Sequence, residues 1–111
     1  MLTDRAPLVA ALNTVAGVDA FASPPKTLKA GFAWTLLEGG DHSHGVSWVV
    51  TWRLLVLLDQ DPGLAQDRAD ALLPLLLAAV DPVAYVDAFE IVTVTSDAGD
   101  WPAIALTVTR E

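Results

Sequence analysis

Cysteine is absent from the 111 residues, which excludes disulfides and thiolate metal sites and fits a cytosolic protein. Histidine occurs twice, as His42 and His44. Bases are scarce: six Lys and Arg stand against fourteen Asp and Glu, for a net charge of −8. The shortage is local. From Asp59 to Asp100 nine acids accompany a single base, Arg68, while the rest of the chain holds five of each. Such an acidic surface repels phosphate, so sequence-specific nucleic-acid binding and attachment to anionic membranes are not expected. Long apolar runs are lacking too. Leu72 to Val80 is interrupted by Pro74 and bordered by Asp70 and Asp81, far short of the roughly 18 residues a membrane span needs. The first residues, MLTDRAPLVAAL, show no basic segment followed by an apolar one, so no signal peptide is expected.

Catalytic constellations are missing as well. In the segment Asp41-His42-Ser43-His44 the alternate residues could face one metal ion, but two histidines and a loop carboxylate make a poor site, and no third histidine or cysteine exists. Ser43 lies between the histidines without a third group to orient a base. GxSxG is absent, and EGGD lacks the lysine and the strand-to-helix setting of a phosphate loop. Asp67 and Asp70 fit an exposed face near a helix N-terminus better than an acid/base pair. No catalytic residue, cofactor or metal is therefore expected, and the chain does not read as an enzyme.

What is present is apolar. Hydrophobic residues make up 53% and the mean hydropathy is +0.46, enough for one domain with a sizeable core. Either partner subunits bury some of this surface, or abundant alanine and leucine inflate the figure. The organising stretch is Val46 to Leu58, VSWVVTWRLLVLL. Val46, Trp48, Val50, Trp52, Leu54, Val56 and Leu58 share one parity and make a wholly apolar strand face. The other parity is polar at Ser47, Thr51 and Arg53 but apolar at Leu55 and Leu57.

The remaining elements follow from period and punctuation. Thr3 to Ala16 reads as a helix capped by Thr3 or Asp4, with Leu8, Ala11, Leu12 and Val15 on one face and Gly17 past its end. Val18 to Ala22 reads as a short strand stopped by Pro24 and Pro25. Leu28 to Leu37 alternates as a strand, and 38–45 (EGGDHSHG) reads as a glycine-rich loop or extended tongue. After the long strand, Asp61 and Pro62 open a second helix to Val80, in which Leu73 and Leu77 widen the apolar stripe and Pro74 should kink it or free a carbonyl near Asp70. Tyr85 to Thr95 and Trp101 to Arg110 are the closing strands, with Val86, Val92 and Val94 opposite Ile91, Thr93 and Thr95. Pro102 indicates a sheet edge or the beginning of a strand. The order is α-β-β-β-α-β-β: an α/β (α+β) domain over 1–111, with a mainly antiparallel sheet of four to five strands packed against two helices. Trp34, Trp48 and Trp52 read mainly as core rings, and Trp101 as a rim residue. Arg53 reads as a solvated face residue or a salt-bridge partner across a subunit boundary.

This layout resembles the tail-terminator (tail-completion) proteins of long-tailed bacteriophages. The resemblance rests on the amphipathic first helix from Pro7 to Val15, the diproline segment FASPPKTL, the hairpin leading into WVVTWRLLVLL, the helix DQDPGLAQDRADALLPLL and two closing strands. It implies a homo-hexameric ring at the head-proximal end of the tail tube, which ends tube polymerisation and docks the head-tail connector protein. The partners implied are further copies of the chain, the tail tube protein and the connector, with DNA passing through the lumen and no membrane. Asp41, His42, His44, Arg53, Leu73, Leu77 and Trp101 are the candidate subunit or tube contacts on this reading. Another neck protein or, less well supported, a small α/β ligand-binding or enzyme domain are the alternatives.

Overall fold

Why the chain folds as it does is clearest at the second helix. Asp61 accepts from the Gly63 and Leu64 N–H groups at 2.9 and 3.1 Å, and Pro62 supplies a preset φ at the first helical position. The computed structural model describes residues 4–43, 47–97 and 99–110; Thr3, His44 and Val46 lie outside them. Helix α1 covers Ala6–Asn13 and α2 covers Pro62–Val80. The strands are β1 (Asp19–Phe21), β2 (Phe32–Ser43), β3 (Ser47–Leu57), β4 (Tyr85–Ser96) and β5 (Gly99–Arg110), so the order is the α-β-β-β-α-β-β expected. They form one sheet in the order β1-β2-β3-β5-β4, antiparallel except for the parallel pair β1–β2.

Strand β3 is central, and its two parities have different covers. Val50, Trp52, Leu54, Val56 and Leu58 join Ile104, Leu106 and Val108 of β5 beneath α1 and α2, where they meet Leu8, Leu12, Leu72, Leu76 and Val80. The opposite parity splits midway. Leu55 and Leu57 sit with Trp34, Ala103 and Ala105 in a second cluster, against which Leu28, Phe32, Val92, Val94 and Trp101 pack. The change of character along that parity thus marks where the covering stops. The cover includes the segment 22–31, the connection between the parallel strands, which brings Leu28 onto this face. We call this segment the strap.

Several boundaries and faces differ from the sequence reading or decide between its alternatives. Helix α1 begins at Ala6 rather than Thr3, with the Asp4 carboxylate accepting from the Ala6 N–H. Strand β2 begins at Phe32, not Leu28, because Gly31 has φ 92° and a Cβ there would collide with the Gly17 carbonyl oxygen. Residues 38–43 are not loop: they extend β2 and pair with 47–51, past a bulge between Leu37 and Gly39. A second bulge between Val86 and Ala88 moves Val86 to the parity of Phe89 and Ile91, so Val86 packs on the helix-side core rather than beside Val92 and Val94. Pro102 belongs to an inner strand, between β3 and β4, so it marks a strand's beginning and not an edge. Helix α2 runs through Pro74 from Pro62 to Val80, with Pro74 exposed where its missing N–H costs no buried bond.

Candidate functional site

The sheet leaves two edges, and they differ in how their backbone groups are used. At β1, the Asn13 side chain accepts from the Ala20 N–H at 2.8 Å and donates to the Ala20 carbonyl at 3.3 Å, as a neighbouring strand would. Arg5 donates to the Ala22 carbonyl at 2.7 Å. Strand β1 is only three residues long and its edge is closed by these side chains. At the other side, β4 runs for 12 residues with β5 on one flank only. Beyond Trp34, the last partner of β1, the outer edge of β2 is also without a strand neighbour.

A seam of apolar side chains lies along β4. Phe89 and Ile91 point to the helix side, in register with Leu106 and Ile104, yet remain 52% and 56% exposed on the outermost strand, at the flank of α2. Ile91, Ala65, Gln66, Ala69, Pro62, Leu58 and Pro102 line a cleft of about 190 Å³ between α2 and the edge. The helical row through Ala69 continues to Leu73 and Leu77, which are half-buried against the core. The short connection 81–84 returns the chain from the end of α2 to the start of β4, so this row and the edge strand run side by side. Leu73 and Leu77 therefore belong to the seam with Phe89 and Ile91.

The other candidates are spread apart. Arg53 lies on the face away from the helices and is already engaged within the chain: it is 3.5 Å from Glu38 and donates to Glu90 at 3.0 Å, crossing from β2 to β4. Glu38 stands at the β2 bulge. Asp41 and His42 occupy strand positions opposite Val49 and Trp48 in the arm formed by the ends of β2 and β3. His44 lies outside the described residues. On this arm Trp48 is 54% exposed, since β5 ends opposite Val50, and on β2 beyond the last partner of β1 Leu36 and Leu37 are 41% and 50% exposed. Trp48 is therefore not a core ring, whereas Trp34 and Trp52 are buried. Trp101 is half-buried on the outer cluster, and its indole N–H has no hydrogen-bond partner among the described residues.

Chemically this is a molecule of surfaces. Among the described residues no three of His, Cys, Asp and Glu gather to hold a metal. A groove of about 580 Å³ runs between the strap and the end of β4, with Trp34, Lys26 and Asp97 in its walls. A second, of about 600 Å³, lies where Asp81, Tyr85, Asp87 and Arg110 meet; there Thr109 Oγ1 donates to the Asp87 carboxylate. A third, of about 430 Å³, is lined by Leu64, Leu72, Leu75 and the Arg68–Asp59 ion pair. All three are open grooves bordered by ordinary surface pairs. No helix of the described residues is long and apolar enough to cross a membrane.

Sequence reasoning missed the seam's strand half. Phe89 and Ile91 alternate like any half-buried strand, and only their place on the outermost strand exposes them. It also missed Asn13, whose single signal was a polar residue at the end of the first helix. Comparison with known protein families and with curated proteins finds no match to this chain.

Proposed function

We propose that the chain is a structural subunit of a bacteriophage tail, forming a ring at the head-proximal end of the tail tube that stops tube growth and docks the connector. The observation that carries this reading is the unequal finishing of the sheet. One edge is closed by Asn13 and Arg5, while the other is open for 12 residues beside an apolar seam. Soluble monomers rarely leave such an edge uncovered, and a subunit that meets its neighbours in an assembly has a use for it. The fold fits the resemblance in element order, and the projecting β2–β3 arm supplies a second surface for the tube. The acid-rich half of the chain suits a lumen through which DNA slides without adhering.

Electron microscopy of the purified protein, alone and mixed with tail tubes, tests the reading. Closed rings seated on one end of tubes of fixed length are expected. Tubes that keep growing in its presence, with no density at either end, would overturn it.

A further inference from the structure

The open edge of β4 and the cleft beside it meet on the helix side of the sheet, and their surroundings are acidic. Past the bulge between Val86 and Ala88, residues 88–96 form a regular edge on which alternate residues turn their N–H and carbonyl groups away from β5. The run 91–96 carries no charge and β4 has no lysine or proline, so the usual guards of an edge are missing there. The cleft of about 190 Å³ has Ile91 as its edge wall, with Ala65 and Ala69 of α2 in the wall beside it. Small-molecule sites run to roughly 300–1,000 Å³, so this volume suits a single large apolar side chain. A carboxylate stands on either side of it. Gln66 in the cleft wall donates to the Asp70 carboxylate at 3.1 Å, and Asp100, opposite Thr95, shares the helix-side parity of Pro102 and Ile104. Since 81–84 turns the chain back from α2 into β4, Asp70 lies toward the start of β4 and Asp100 toward its end. Neither has an ion pair among the described residues, and no base lines the cleft.

We propose that the β4 edge takes an extended segment of another protein as an added strand. One large apolar side chain of that segment enters the cleft beside Ile91, and basic side chains at the alternate positions flanking it reach Asp70 and Asp100. The surface asks for three features of one ligand. The open N–H and carbonyl groups bind an extended backbone, and the cleft selects an apolar side chain. The carboxylates select its neighbours on the same face, because alternate residues of a strand share a face. The acids of β4 itself take no part: Glu90 is paired with Arg53 and Asp87 with Thr109, on the face away from the helices. A second copy does not supply this ligand as a strand. Its open edges are β4 and β2 beyond Trp34, and neither 85–96 nor 35–43 contains a lysine or arginine. Either one would add carboxylates to a site that already repels them. The inference goes beyond the tail reading, which requires contacts between subunits but names no ligand for this edge; neither tube nor connector enters it.

The test is titration calorimetry of the full chain with an amidated peptide of about ten residues, alternating threonine and valine, with a central leucine and a lysine at the alternate position on each side. One-to-one saturable binding is expected, weakening about fivefold from low to high salt. Replacing the leucine by alanine, or both lysines by glutamate, should each cost about tenfold or more. N-methylating one alternate set of peptide nitrogens should abolish binding, while methylating the other set should leave it within about threefold, since only one set faces β4. The exposed double variant Asp70→Asn/Asp100→Asn, its fold established by circular dichroism, should lose about tenfold and most of the salt dependence. Bound peptide should slow exchange of alternate amides within 88–96 and leave that of Ala20 unchanged. Failure to saturate at millimolar peptide overturns the proposal. So does equal binding of the glutamate peptide, or of the two N-methylated sets. A wild type whose β4 amides become protected as its own concentration rises, with no peptide present, assigns the edge to a second copy and overturns it as well. None of these measurements involves tubes, so their failure leaves the capping experiment standing, and failed capping leaves them standing.

Discussion

The β1 edge and the β4 edge solve the same physical problem in opposite ways. Both present unpaired backbone groups that would template another strand. At β1 the chain covers them from within: α1 lies behind the strand, Asn13 takes both polar groups of Ala20, and Arg5 takes the Ala22 carbonyl. At β4 the chain leaves 12 residues open and places Phe89 and Ile91 on the rim. The difference teaches that the two edges are finished unequally. A chain able to blunt one edge with a three-residue strand and an asparagine has left only one of the two outermost strands open.

The largest expected effect lies behind the closed edge. Leu12 is fully buried between α1 and the sheet, so Leu12→Ala should cost about 2–5 kcal/mol in urea unfolding. Phe89→Ala, at the open edge, should stay within about 0.5 kcal/mol when measured on monomer. Equal losses would mean that β4 is as much a part of the folded core as α1, and the contrast would break. Asn13→Ala comes next, at about 1 kcal/mol, since two exposed hydrogen bonds to the backbone of one residue, Ala20, are lost. It should also raise the amide exchange rate of Ala20 without altering that of β4. A third substitution tests the point where the β1 cover ends. Thr35, the first β2 residue beyond the last partner of β1, is 2% exposed, and its hydroxyl has no partner among the described residues. Thr35→Val keeps the shape and removes the orphaned group, so stability should rise by about 1 kcal/mol. A loss would show that the hydroxyl is satisfied after all.

Much of this was legible because period and punctuation act locally. Asp61-Pro62 set the start of α2, and the alternation in Ile104, Leu106 and Val108 set the inner face of β5, with no help from distant contacts. The bulges were not legible. Nothing in Leu37-Glu38-Gly39 or Val86-Asp87-Ala88 announces an extra residue, because a bulge is fixed by the partner strand's register. The histidine-bearing segment read as loop because glycine and polar residues favour turns, but pairing of 38–43 with 47–51 overrode that preference. The candidate site was half visible. Leu73 and Leu77 exceeded what one sheet face needs, and this excess is a property of the helix alone. Phe89 and Ile91 could be recognised only once the strand order placed β4 at an edge.

The smallest expected effect sharpens the comparison most. Arg53 links Glu38 on β2 to Glu90 on β4, so it ties the open edge to the arm across the uncovered half of the outer face. Its side chain is 29% exposed, against 40% for Glu38 and 62% for Glu90, so solvent screens both pairs. A double-mutant cycle with Arg53→Met and Glu90→Gln should therefore give a coupling of about 0.5 kcal/mol, falling further in high salt. The pair with Glu90 should supply most of it, being a hydrogen-bonded contact at 3.0 Å against 3.5 Å for Glu38. Global stability is the less informative readout here. If the clamp is what keeps β4 in register without an outer neighbour, Arg53→Met should speed amide exchange along β4 while Ala20 at the closed edge keeps its protection. Equal acceleration at both edges would show that Arg53 supports the sheet as a whole, and that β4 holds its place through β5 alone.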